Sequence, residues 1–178
     1  MKFILLSGIS IFFILLYGCS DEQKNNLTEK NNSINNYVVD TLNAGQLNEI
    51  INNRNGKILF INFWATWCVP CVEEFPDIVK LAESYKEKDV EFLSLSVDLV
   101  KEINSAVIPF LQKQKVNFPV FVIPEKESEK VINRVQPDWN GAIPATAVYN
   151  REGKLVSFIT GLATFDKFKQ KVDEALKM

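Results

Sequence analysis

Three observations predict an α/β fold with a mixed central sheet and helices on both faces. Short apolar stretches alternate with amphipathic ones from Tyr37 to about Val135. Two strand-like stretches joined by Asn150-Arg151-Glu152-Gly153 then form a hairpin signal, and a capped amphipathic helix closes the chain. No internal repeat breaks this order. A length of 178 residues gives room for one domain of ordinary size with some extra chain at one end.

Each element has its own signal. Tyr37-Val38-Val39 reads as a short strand. Leu42 to Asn53 reads as a helix with Leu47, Ile50 and Ile51 inward, stopped at Asn55-Gly56. Lys57 to Trp64, apolar from Ile58, reads as a buried strand. The helix after it is predicted to reach about Lys88. Val72, Phe75, Val79 and Ala82 form its inner face, with Ile78, Leu81 and Tyr85 beside them. Val90 to Val97 is a strand, and Lys101 to Lys115 a helix bent near Pro109. Val120 to Ile123 is a short strand, Glu125 to Val135 a charged helix, and Gln136 to Gly141 a loop holding Trp139. Ala145–Tyr149 and Lys154–Thr160 are the hairpin strands. Thr164 caps a last helix over Asp166–Leu176, with Phe165, Phe168, Val172 and Leu176 on one face. Asp98, just after a strand, is expected to cap the next helix.

Residues 1–18 do not belong to this fold. Lys2 and a mostly apolar stretch of about 15 residues have the form of a signal peptide, short of the roughly 20 that a spanning helix needs. Leu16-Tyr17-Gly18-Cys19 resembles a bacterial lipobox, which implies cleavage before Cys19 and its lipidation; an uncleaved anchor is the other reading. Residues 19–36 are Asn-rich and polar, and read as a disordered tether to a domain at 37–178. Ser20-Asp21-Glu22 resembles an acidic surface-export signal, though a solvated linker end accounts for the same residues. Either way the domain is expected outside the cytoplasm, in the cell envelope and tied to a membrane.

Composition excludes several chemistries. With no histidine, the chain has no Cys-His or Ser-His nucleophile pair and no imidazole metal ligand. Three cysteines, Cys19, Cys68 and Cys71, cannot form a four-thiolate zinc site. A formal charge of −2 argues for neither nucleic acid nor an acidic partner, and no basic block or Gly-rich phosphate loop appears; no metal and no cofactor is expected.

What remains is the pair Cys68 and Cys71, where a strand turns into a helix. A bare C-x-x-C is a weak signal, because structural disulfides and chance also produce it. Three features strengthen it. A helix start offers unpaired N–H groups and a dipole that favour a thiolate at Cys68. Pro70 lies in the first turn, where its missing N–H costs nothing. A spacing of three lets the sulfurs approach bonding distance. Cys68 would then attack a substrate disulfide and Cys71 would resolve the mixed disulfide. A structural disulfide in so small a loop would stabilise little.

The stretch Phe63-Trp64-Ala65-Thr66-Trp67-Cys68-Val69-Pro70-Cys71 resembles the active site of the thioredoxin fold, and in detail the TlpA/ResA-like thiol–disulfide oxidoreductases of bacterial envelopes. Pro76 and Gly141-Ala142-Ile143-Pro144-Ala145-Thr146 extend the likeness, which covers residues 37–178. The resemblance implies a thioredoxin-like three-layer sandwich and a cis peptide before Pro144. It also implies that the backbone of Ile143 pairs with an incoming substrate chain. Thioredoxin has a buried aspartate where this chain has Asn62. The TlpA/ResA-like relatives share the asparagine and often carry a carboxylate at the position of Glu74. That implies Glu74 tunes the thiol pair and relays the resolving proton; otherwise it is a solvated first-turn charge. Trp67 is expected as an exposed platform for substrate, Trp64 as core, and Trp139 as a packed loop anchor. The family's partners would be disulfide-containing proteins, often in cytochrome c maturation or envelope redox maintenance, and a membrane thiol carrier that supplies electrons. Two rival expectations are a Cu(I) metallochaperone using Cys68 and Cys71, and a redox-inactive binding module.

Overall fold

The computed structural model describes residues 37–178. The expected signal peptide, tether and lipidated Cys19 lie outside the described residues. Among the described residues the six strands are β1 (Asp40–Thr41), β2 (Ile58–Trp64), β3 (Val90–Ser96), β4 (Val120–Val122), β5 (Ala145–Tyr149) and β6 (Leu155–Thr160). The α-helices are α1 (Ala44–Asn52), α2 (Val69–Ser84), α3 (Ile108–Gln114), α4 (Ser128–Val135) and α5 (Phe165–Leu176). The sheet order is β1-β4-β3-β2-β5-β6. Its β1–β4, β4–β3 and β3–β2 pairs are parallel, and β2–β5 and β5–β6 antiparallel. This is the mixed sheet that alternating units plus a hairpin call for.

Strand β2 is central, and every one of its residues is buried. Leu59, Ile61 and Phe63 join Leu47 and Ile51 of α1 and Val131 and Val135 of α4 in one core. Ile58 and Phe60 join Ile78 and Leu81 of α2 and Phe168 and Val172 of α5 in another. Alternate residues of a strand point to opposite faces, so one strand serves two helical layers. Trp64, where β2 ends, belongs to a third cluster with Cys68, Cys71, Phe75, Val107 and Leu111.

Several boundaries differ from expectation. The first strand is Asp40–Thr41 rather than Tyr37–Val39: pairing is with the short β4, and Val38 is 87% exposed. Tyr37 instead donates its hydroxyl to Val116 O. Helix α2 ends at Ser84 rather than near Lys88, because Tyr85 is its last buried residue and Lys86–Asp89 is wholly exposed. Its buried stripe is Cys71, Glu74, Phe75, Ile78, Leu81 and Ala82, with Val72 and Val79 at the margin. The inner face is therefore turned so that a glutamate lies within it. The expected helix at Lys101–Lys115 is a 3₁₀ turn (Val100–Glu102), a π turn (Ile103–Val107) and α3. Pro109, in the first turn of α3, has no N–H to offer the preceding turn, so the bend falls ahead of it. Glu125–Glu127 is likewise a 3₁₀ turn before α4.

Candidate active site

The site forms where β2 and β3 end. The last main-chain bond between them runs from Val97 N to Trp64 O, 2.9 Å. The chain from β2 then turns, with Cys68 N donating to Ala65 O, and enters α2. Cys68 is the residue that caps α2, and its Sγ accepts the N–H of Cys71 at 3.3 Å. Pro70 occupies the first turn of the helix. Cys68 and Cys71 are joined by a disulfide; Cys71 is fully buried, and Cys68 keeps 6% of its surface exposed. One sulfur is thus reachable at a helix tip rich in unpaired N–H groups, and the other is shielded behind it.

Trp67 and Val69, on either side of Cys68, are 65% and 67% exposed. The Ile143–Pro144 peptide is cis, and Ile143 packs against the cluster that contains both cysteines. The loop before it is held by Trp139, which is buried and donates its Nε1–H to Ala142 O at 2.9 Å. That indole packs between the rings of Phe63 and Phe158. Beyond the loop, Gly161 N donates to Pro144 O.

Glu74 lies one helical turn past Cys71 on the same face and is only 3% exposed, so it is no solvated first-turn charge. Asn62 Nδ2 donates to its Oε1 at 3.1 Å, and Ala163 N donates to its Oε2 at 3.0 Å. Burial pushes its carboxyl up to about 7, and these two donors only partly offset that. Asn62 is also bonded sideways along the sheet, accepting from Ser94 Oγ of β3 and donating to Thr146 Oγ1 of β5. An amide can donate to the carboxylate where a second carboxylate would repel it, so the asparagine and the glutamate form a unit.

Asp98 does not cap the helix that follows it. The N–H of Leu99 at that helix start is met instead by Glu102 Oε2. The Asp98 carboxylate, 2% exposed, accepts Thr66 N at 3.0 and 3.2 Å, Thr66 Oγ1 at 2.6 Å and Ser96 Oγ at 2.6 Å. Sequence reasoning missed this grip on the cysteine loop. The only local signal was a serine two residues before an aspartate at a strand end.

The sequence matches the AhpC/TSA family over residues 36–158. It is 33% identical to the thiol-disulfide oxidoreductase ResA of Bacillus subtilis, over 72% of this chain and 66% of that protein. The ResA of Bacillus thuringiensis is 32% identical, over 75% of this chain and 71% of that protein. Among solved structures, a thiol:disulfide interchange protein of the thioredoxin family from Chlorobium tepidum superposes with a TM-score of 0.60 at 25% identity. That match covers 70% of this chain and 83% of the other.

Proposed function

This chain belongs to the AhpC/TSA family of thioredoxin-fold proteins and is a thiol–disulfide oxidoreductase, and we propose that it reduces the disulfides of protein substrates in a bacterial cell envelope. The observation that carries this reading is the sulfur pair itself, with Cys68 capping α2 and Cys71 buried behind it. In the reduced form the Cys68 thiolate attacks one sulfur of the substrate disulfide. A mixed disulfide forms, and the other substrate sulfur leaves as a thiolate. Cys71 then attacks Cys68 Sγ. The Cys68–Cys71 bond forms, the second substrate sulfur leaves, and the protein has given up two electrons.

Glu74 takes the proton of Cys71 in this scheme. A carboxyl with a pKa of about 7 is poised to accept and return a proton near neutral pH, which an ordinary glutamate is not. Trp67, Pro70 and the main chain of Ile143 beside Pro144 line the approach of the substrate chain. A lipidated Cys19 holds the domain to the membrane, and a membrane thiol carrier restores the dithiol. Cytochrome c maturation or envelope redox maintenance is the setting that suits these parts.

Turnover of insulin disulfides in dithiothreitol is the test. Wild-type protein is expected to speed it, and Cys68→Ser to fall to the uncatalysed rate. Equal rates for the two proteins would sink the exchange mechanism.

A further inference from the structure

Where β2 and β3 part, the main chain of β2 must leave the sheet to reach α2. After the bond from Val97 N to Trp64 O, no further main-chain rung between the two strands holds the Ala65–Cys68 turn. The next rung is made by a side chain. Thr66 N, which would otherwise need a carbonyl partner, finds the buried carboxylate of Asp98, and Thr66 Oγ1 reaches the same group. Asp98 is itself held from its own strand, because Ser96 Oγ donates to Oδ2 while accepting Asp98 N at 2.9 Å. Charge-assisted bonds of this kind are about twice as strong as neutral ones. Thr66 is two residues from Cys68, inside the turn closed by Cys68 N and Ala65 O.

We propose that Asp98 is a positioning residue of the reduced enzyme, clamping the Ala65–Cys68 turn through Thr66 so that the Cys68 sulfur stays over the tip of α2 once the disulfide is open. In the oxidised protein the Cys68–Cys71 bond braces the same turn covalently, and the clamp is redundant. In the reduced protein that brace is gone. What holds Cys68 is then its own N–H bond to Ala65 O, the bond from Val72 N to its carbonyl, and the Asp98 grip. A contact that stabilises the reduced form more than the oxidised one raises the fraction of dithiol at equilibrium. Removing it shifts the couple toward the disulfide. This inference rests on the dithiol–disulfide cycle proposed above.

Two variants separate the grip from the charge. In Asp98→Asn the amide oxygen can still accept from Thr66 while Nδ2 donates to Ser96 Oγ, whose hydroxyl is free to turn. Most of the clamp stays, since the Oδ1 position keeps Thr66 Oγ1 and the longer bond from Thr66 N; the charge and the bond from Thr66 N to Oδ2 go. In Asp98→Ala the whole clamp and the charge go. The full-length protein is equilibrated with mixtures of dithiothreitol and its cyclic disulfide. In that exchange two dithiothreitol thiols lose two electrons and two protons to Cys68 and Cys71. The alanine variant is expected to hold the disulfide about tenfold more strongly than the asparagine variant, a potential lower by about 30 mV. Its melting temperature should also fall further below wild type in the reduced form than in the oxidised form.

Equal potentials for the two variants overturn the proposal, as does an equal loss of stability in both redox forms, which is what a merely structural aspartate gives. Should Asp98→Ala not fold, Thr66→Val removes the hydroxyl half of the grip and is read the same way. A shift of about threefold toward the disulfide supports the clamp, and no shift rejects it. Wild-type protein that never equilibrates with dithiothreitol fails differently, and takes the exchange reading down along with the clamp.

Discussion

Glu74 shows how one buried side chain sets a pH dependence for the whole protein. Its carboxyl rises from 4.5 to about 7 on folding, chiefly because burial disfavours the charge. Between those values the folded protein holds a proton that the unfolded chain has released. The contribution of Glu74 to stability is therefore fullest below about pH 4.5 and is lost as pH rises through about 7. Glutamine cannot titrate. The stability of Glu74→Gln relative to wild type, measured by urea unfolding of the oxidised protein, should climb by about 3 kcal/mol between pH 4.5 and 8. A flat difference across that window would mean that Glu74 does not ionise in the fold. The two donors that partly offset this shift lie 12 and 89 positions away in the chain, at Asn62 and Ala163. A spacing rule sees Glu74 only as an early helical charge; which face of α2 turns inward decides its fate.

Among the elements, the β5–β6 hairpin and the end of α1 are tied together by one cation. Arg54 is 3% exposed, and among the described residues no carboxylate bonds to it. Its guanidinium donates to the carbonyls of Ile51, Lys57, Asn150 and Arg151. Two of these acceptors flank the end of α1 and two lie in the hairpin turn, so a planar fork of five N–H groups is what the geometry uses. Arg54→Ala is expected to cost about 3 kcal/mol in urea unfolding, in the range of charge-assisted bonds left unmade. Arg54→Lys should recover less than half, since an ammonium cannot reach four carbonyls in one plane. Full recovery by lysine would show that charge alone matters. Elements with strong periodicity, β2 and α5 above all, stand close to where their patterns put them. The stretch after β3 does not: its helical pattern becomes a 3₁₀ turn, a π turn and α3, with Pro109 in the first turn of α3 and Val107 and Leu111 buried in the cluster of the cysteines.

At the scale of the molecule, the sheet carries the thiols at one end of its most buried strand, with helices covering both faces. The proposed attachment through Cys19 adds a second level of organisation, since a lipidated chain confines this site to a membrane surface. Cys19→Ser in the full chain is expected to move the protein from the membrane fraction to the soluble one while its insulin-reducing activity per molecule stays within about twofold. A variant that remains in the membrane fraction would count against the lipid anchor.

The amino-acid sequence by itself determined the alternation of strands and helices, the burial of Ile58–Trp64, and a thiol pair at a helix tip. All of these follow from periodicity and from neighbours within a few residues of each other. Only the tertiary structure decided that Glu74 faces inward onto Asn62 and that Asp98 holds Thr66 instead of capping a helix. Trp139 is expected from the sequence to anchor the loop before Pro144; the fold supplied its partners, Ala142 O and the rings of Phe63 and Phe158. A buried polar group takes whichever partner the packed sheet brings within reach, however far away along the chain, and no local pattern encodes that choice.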